Sequence, residues 1–296
     1  MTRCGFVAVI GAPNAGKSTL VNALVGQKVA IVSAKAQTTR ARLMGIALEG
    51  DTQMVLVDTP GIFAPKRRLD RAMVSAAWEG TTAADAILLV VDPVKQRRHE
   101  LEPLIEALAN RPERKILILN KVDVAKKEPL LVLAEELTGK VPFDEVFFVA
   151  AQTGDGVAEM KSALAASMPE GDWIYPEDQV SDASERLMAA EITREQLYKQ
   201  LHEELPYDSA VRPEQYVERK DGSVEIHQQI VVGRDNQRAI VLGKGGSRIK
   251  AIGEAARAEL MELLGRKVHL FLHVKVSENW SEDREIFEEI GLDWVR

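Results

Sequence analysis

Cysteine is nearly absent. Cys4 is the one thiol in 296 residues, so no disulfide can form within the chain, and this usage suits a reducing cytoplasm. No apolar run approaches the ~20 residues that a membrane-spanning helix requires. The opening stretch MTRCGFVAVIGAP holds only a short apolar segment that runs into glycine, the pattern of a buried strand and not of a signal peptide. Positive charge is in deficit: 38 Lys and Arg face 45 Asp and Glu, a net charge of −7, which argues against a protein that coats nucleic acid indiscriminately. Internal repeats and low-complexity tracts are also missing. The sequon Asn279-Trp280-Ser281 would matter only in a secreted chain and is read as chance.

What remains is an ordinary globular composition, 46% hydrophobic and 28% charged, long enough for two domains with separate cores. The charge is unevenly spread. Residues 232–276 hold nine Lys or Arg against four Asp or Glu, whereas 278–293 hold seven acids against Arg284. A basic segment beside an acidic tail points to one localised anion site.

The first half alternates apolar strands with helical spacing. CGFVAVIGAP reads as a central parallel strand and STLVNALVG as a helix closing on Gly26. Further strands are expected at 43–49, 53–61, 86–92, 115–123 and 145–151, with helices near 70–80, 99–110, 128–138 and 157–167. This is the signature of an α/β fold, a doubly wound and mostly parallel sheet. MPEGDWIYPEDQVSD (168–182) changes the composition. The expected division is a first domain over 1–168, a linker over 169–183, a second domain over 184–277, and an acidic helix or tail over 278–296. The second domain opens with an amphipathic helix (184–205) stopped by Pro206. Two strands follow, joined by the turn Asp221-Gly222, then two helices around a glycine loop, and the strand KVHLFLHVKV.

Gly11-Ala12-Pro13-Asn14-Ala15-Gly16-Lys17-Ser18 fits G-x-x-x-x-G-K-[ST] after a strand and before a helix. Backbone N–H groups and the helix N-terminus would hold phosphates there, with Thr19 completing the stretch. Lys17 would reach the β- and γ-phosphates, and the Ser18 hydroxyl would ligate Mg²⁺. The base is specified by Asn120-Lys121-Val122-Asp123 at a later strand end. The Asp123 carboxylate can accept from both guanine N1–H and the 2-amino group, donors that adenine lacks. Asn120 would tie this loop to the P-loop, and the Lys121 stem would cover the purine. Asp58-Thr59-Pro60-Gly61 ends another strand. Asp58 suits Mg²⁺, and the Gly61 amide can meet the γ-phosphate. KAQTTRAR offers Thr39, or Thr38 beside it, as a second sensor of the γ-phosphate and metal. Lys17, Thr39, Asp58 and Gly61 are thus the candidate catalytic set, and Ser18, Thr39 and Asp58 the candidate metal set.

These elements resemble the translation-factor class of small P-loop GTPases over residues 6 to about 165. Relatives place a water-positioning glutamine after the DxxG glycine; here that place holds Ile62, which implies slow intrinsic hydrolysis or another route. In relatives with such a replacement, a P-loop asparagine can hold K⁺, and Asn14 matches it. The family's usual Ser-Ala before the last helix appears as Ala150-Ala151. The resemblance gives Ala151 a backbone contact to guanine O6 and removes the steadying serine at position 150.

The loop Gly243-Lys244-Gly245-Gly246 in VLGKGGSRIK cannot be another P-loop, because Gly245 replaces the required Ser or Thr after the lysine. Between two apolar helices it fits the G-x-x-G loop of a KH domain, where missing side chains let a nucleic-acid backbone approach. Lys244, Arg248 and Lys250 would supply charge. Ile240, Val241, Ile249 and Ile252 would line the base groove or pack in the core. The element order fits an α+β type II KH domain.

GAPNAGKST, KAQTTR, DTPGI, NKVD, YPEDQ and VLGKGG, in this order, closely resemble the bacterial Era family of GTPases. The resemblance implies a GTP/GDP switch that binds 16S rRNA near its 3′ end and assists 30S subunit maturation. It further implies a monomer in the cytoplasm, peripherally associated with the inner membrane. The basic run Lys66-Arg67-Arg68 could contact RNA or simply be solvated. Alternatives are a related GTPase acting on tRNA or the large subunit, and a passive RNA-binding protein with a degenerate nucleotide site. The tandem-domain large-subunit relatives carry a second P-loop, and none occurs here.

Overall fold

A computed structural model describes the chain except residues 34, 36, 37, 41, 64, 66, 97, 203, 204 and 296. Gln37 of the KAQTTRAR stretch and Lys66 of the basic run therefore lie outside the described residues. The chain forms two compact units, Met1–Asp182 and Ala183–Arg296.

In the first unit, strands β1 (Arg3–Ile10), β2 (Leu43–Glu49), β3 (Thr52–Asp58), β4 (Ala86–Val91), β5 (Arg114–Leu119) and β6 (Glu145–Phe148) form one sheet in the order β2-β3-β1-β4-β5-β6. Only β2 runs antiparallel, pairing with β3; the other pairs are parallel. β4 is buried along its whole length, as expected for a strand covered on both faces. Helices α1 (Lys17–Val25), α2 (Arg68–Glu79), α3 (Arg98–Ala109) and α4 (Lys127–Lys140) connect the strands, and α5 (Val157–Ala166) follows β6. Alternation along β1 and β4 splits the core in two. Val7, Val9, Leu88 and Val90 pack with Leu20, Leu24 and Leu164 on one side. Ala8, Ile10, Ile87 and Leu89 pack with Leu104, Leu108 and Leu133 on the other. Each Val, Leu or Ile among them contributes about 1.5–3 kcal/mol on full burial. This sandwich fixes the strand ends on which the chemistry sits.

The stretch expected as a linker instead belongs to the first unit up to Asp182. The buried Gln53 of β3 explains why. Its Oε1 accepts from the N–H groups of Ile174 (2.9 Å) and Tyr175 (3.0 Å), and its Nε2 donates to Tyr175 O (2.8 Å). Further on, Ile46 N–H donates to Val180 O (2.8 Å), Ser181 Oγ to Met44 O (3.0 Å), and Met44 N–H to Asp182 Oδ1 (3.1 Å).

In the second unit, α6 (Glu185–Gln200) precedes β7 (Ser209–Glu218) and β8 (Val224–Val232). Helices α7 (Asp235–Leu242) and α8 (Ser247–Leu264) follow, then β9 (Val268–Val276) and α9 (Arg284–Glu289). α6 ends at Gln200, short of Pro206. The sheet order is β7-β8-β9, antiparallel then parallel. Ile226 and Ile230 of β8 face the helices and join Ile252, Ala256 and Leu260 of α8. The acidic tail is folded, not loose. Trp280 and Phe287 are buried, Phe287 meets Trp294 edge-on at 5.0 Å, and Arg212 of β7 clasps Glu289.

Candidate nucleotide and nucleic-acid sites

The loop 11–16 leaves β1 and ends in Gly16, whose φ of 97° is left-handed. A Cβ there would lie 2.2 Å from Asn120 Nδ2, so only glycine lets the two loops meet. Asn120, 2% exposed, then does what its position in NKVD suggested. Its Nδ2 donates to Ala15 O (3.0 Å), and its Oδ1 accepts from Ala151 N–H (3.0 Å). One amide thus locks P-loop, β5 end and β6 end together. The Ala151 N–H, expected to contact guanine O6, is bonded to Asn120. Ala150 is buried, and its N–H donates to Asp155 O (2.9 Å), which steadies the loop by backbone bonding where a serine was lacking.

Lys121 adopts φ 62°. Its Nζ donates to Asn14 O (2.7 Å) and pairs with Asp92 Oδ2 (2.7 Å). Asp92 went unnoticed in the sequence because a lone aspartate at a strand end is ordinary. It is 4% exposed, and its other oxygen accepts from Val94 N–H (2.9 Å) and Lys95 N–H (3.0 Å). Although burial opposes ionisation, the Lys121 ammonium and these amides outweigh it and hold the Asp92 carboxyl below its ordinary range. Asp92 is therefore a positioning residue for Lys121. Val122 N–H donates to Val149 O (3.2 Å), and Asp123 lies exposed on the following single turn.

Lys17 is buried and donates to Gly11 O (3.3 Å) and Ala12 O (3.1 Å). Desolvation lowers its pKa to about 8, against the pull of the Asp58 carboxylate. Ser18 Oγ lies 2.7 Å from Asp58 Oδ2 and 2.8 Å from Thr39 Oγ1, and Thr39 Oγ1 is 3.1 Å from the same carboxylate oxygen. Thr38 instead donates to Lys35 O (2.8 Å), which separates the two threonines. Burial pushes the Asp58 carboxyl up, opposed by its Ser18 hydrogen bond, the Lys17 ammonium and Thr39. Its Oδ1 is buried without a hydrogen-bond partner among the described residues. Two hydroxyls and a carboxylate with a spare buried oxygen form a hard, all-oxygen donor set that fits Mg²⁺. Thr59 Oγ1 donates to Val9 O (2.7 Å), fixing the turn into Pro60 and Gly61. Gly61 packs tightly on Pro13. Ile62 is buried in the core, its N–H donating to Gly11 O (3.1 Å). It cannot orient water. Beside these loops a cleft of about 830 Å³ is lined by Thr19, Asn22, Lys28, Ala151 and Gln152.

A triphosphate favours the Lys17 ammonium, so binding must take up a proton wherever free Lys17 is neutral. GTP affinity is expected to hold between pH 7 and 8 and to fall on the alkaline side, approaching tenfold per pH unit above about 8. Calorimetry in buffers of different ionisation enthalpy reads the uptake; Lys17→Arg should abolish it.

In the second unit, Gly243 (φ 71°, ψ 175°) turns the chain out of α7, where a Cβ would lie 2.7 Å from that of Arg248. Gly245 and Gly246 follow with φ 60° and 78° and open space around them. Lys244 and Lys250 are exposed, and Arg248 half-buried. Ile240 is 45% exposed. Val241 contradicts its expected place in the groove: it is fully buried with Ile252, because α7 turns that residue onto the sheet. Ile249 is partly buried against the same core.

A P-loop joined to a guanine-type loop on a doubly wound sheet defines a P-loop GTPase, and the second unit has the type II KH arrangement. Comparison with known proteins agrees. Residues 6–121 match the family described as 50S ribosome-binding GTPase, and 204–281 match the KH domain family. The chain is 77% identical to the GTPase Era of Erythrobacter litoralis over 300 residues, covering 100% of this chain and 99% of that one. It is 53% identical to that of Caulobacter vibrioides, covering 99% and 97%. A crystal structure of a point variant of Aquifex aeolicus Era bound to GDP·AlF4⁻ superposes with a TM-score of 0.92 at 36% identity, covering 98% and 99%. An Era complex with MgGDPNP and nucleotides 1506–1542 of 16S ribosomal RNA gives 0.93 at 35%, with the same coverage. This chain belongs to the Era family of GTPases.

Proposed function

We propose that the chain is a GTP-hydrolysing switch that binds 16S rRNA near its 3′ end and assists maturation of the 30S subunit. The observation that carries this reading is the full-length likeness, across both units, to an Era structure that holds a magnesium-bound GTP analogue and 16S rRNA nucleotides. The unit ending at Asp182 would bind the nucleotide. Residues 184–277 would bind RNA, through Ile240, Lys244, Arg248 and Lys250 around the glycine loop.

In the hydrolysis, water attacks the γ-phosphorus and the bond to the β,γ-bridging oxygen breaks, giving GDP and phosphate. Lys17 places positive charge where the leaving oxygens gain negative charge. Ser18, Thr39 and Asp58 would hold Mg²⁺, which supplies neutralisation of the phosphate charge. Because Thr39 reaches this cluster, loss of the γ-phosphate would loosen the loop that carries it. With Ile62 locked in the core, no side chain at that place accepts a proton from water, and intrinsic turnover is slow. Asn14, at φ 63°, would hold K⁺ beside the phosphates. Hydrolysis is expected to run faster in KCl than in NaCl, and equal rates would remove K⁺ from the scheme. A monomeric state and peripheral membrane association belong to the same reading. No described helix is long and apolar enough to cross a membrane.

The test is crosslinking in cells followed by sequencing of the bound RNA. Reads concentrated at the 3′ end of 16S rRNA are expected. A pool dominated by tRNA or large-subunit rRNA would transfer the protein to a related branch and leave the GTPase intact.

A further inference from the structure

The face of the second unit's sheet turned away from α6 and α8, which α9 covers only at the β7 side, carries a second feature suited to RNA. β9 is one of the sheet's two edge strands, and its side chains alternate. Leu272, Val274 and Val276 turn to the helices and the core. Phe271 stands on the opposite face, 49% exposed, in register with His227 of β8. The two rings stack at 4.7 Å between centroids and 21° between planes. His227 is fixed from below by Glu225 Oε1 (2.6 Å), and Glu225 is in turn held by Arg219. Because His227 comes from the inner strand, it covers one face of the phenyl ring and leaves the other turned toward the open edge of β9. That same strand packs against α8, the helix that begins at the glycine loop. RNA leaving the glycine-loop groove would reach this ring by passing over the open edge of β9.

We propose that Phe271, backed by His227, is a stacking platform for a nucleotide of single-stranded RNA lying outside the glycine-loop groove. This rests on the RNA-binding reading above and extends it. A groove of this kind clamps about four nucleotides, far fewer than the rRNA segment proposed as ligand, so the flanking nucleotides require another surface. An exposed aromatic ring offers a base a π-face irrespective of sequence. Here the ring is already held, so little side-chain freedom is lost on binding. His273 lies next along the face and shares a hydrogen bond with Gln229 (3.0 Å between nitrogens). Lys275 follows, exposed, about 13 Å from Phe271 along the strand. It is in reach of the phosphates of a neighbouring nucleotide.

The experiment uses the full chain and two RNAs: nucleotides 1506–1542 of 16S rRNA, and a four-nucleotide piece of its single-stranded part. Dissociation constants come from fluorescence anisotropy. Phe271→Ala and Phe271→Leu are each expected to weaken the long RNA about tenfold and to leave the short one unchanged. Phe271→Trp should restore binding. The GTP hydrolysis rate should be the same in all three, and their unchanged affinity for the short RNA shows that the second unit is folded. A groove variant, Lys244→Glu with Gly246→Asp, should lose both RNAs. If the groove variant fails while Phe271→Ala binds the long RNA like the parent chain, the platform is wrong and the groove stands. If neither variant changes binding, both readings fall. If Phe271→Ala keeps naked RNA but loses purified 30S subunits, the face serves a protein, and the proposal is overturned.

Discussion

Asp123→Asn is expected to weaken GTP binding by about a hundredfold to a thousandfold and to admit xanthosine triphosphate in its place. A carboxylate presents two acceptors to guanine's N1–H and 2-amino group. An asparagine amide presents one acceptor and one donor, so one guanine donor meets another donor. Xanthine carries N1–H beside a C2 carbonyl, which the amide satisfies. Each hydrogen bond to a charged group contributes about 1.5–3 kcal/mol net. Asp123 is exposed, which places the effect toward the lower end of that range. The Asn120 anchor and the Lys121–Asp92 pair are untouched, so the loop should keep its shape. Calorimetric titration with GTP, XTP and ATP checks this. Should GTP bind the variant and the parent chain alike, the guanine loop has been misassigned.

Lys17→Met should reduce single-turnover GTP hydrolysis by about 10²–10³-fold, the scale seen when one preorganised charge-stabilising group is removed. The same change should leave the melting temperature without nucleotide unaltered or raised. Lys17 is 6% exposed, and desolvation dominates its lowered pKa. The ammonium is therefore held at a cost in the free protein, and a methionine of similar length removes that cost. Loss of activity together with a collapse in stability would instead make Lys17 a structural residue. Hydrolysis within tenfold of the parent would place the reaction elsewhere.

The legibility of this chain in its sequence follows a physical division. The P-loop, DTPG and NKVD were readable because phosphate and guanine demand particular atoms at strand ends, and few residue types supply them. Alternation of strand and helix was readable because the first unit's strands are built mainly of apolar residues. Val241 was misplaced because an aliphatic residue beside a glycine loop suits a groove and a core equally; only the turn of α7 decides. The bond from Ala151 N–H to Asn120 went unread because a backbone N–H leaves no trace in the side-chain alphabet. The stretch 169–182 looked like a linker since Pro, Gly and Asp are equally at home in a strap, and its fastening depends on Gln53, more than a hundred residues earlier. Asp92 was hidden for the same reason, its partner Lys121 being distant in sequence.

That strap has a further effect. β2 is the outermost strand of the first sheet, and residues 180–182 lie along it, filling amide and carbonyl positions that would otherwise be open. A fragment cut at Met168 would bare this margin to pairing with neighbouring molecules, whereas one cut at Asp182 would carry its own cover. The cover is fastened at Met44, a few residues beyond Thr39 in the chain, and its last residue hands directly to Ala183. The thread that joins the two units is thus sewn to the strand that emerges from the loop carrying Thr39.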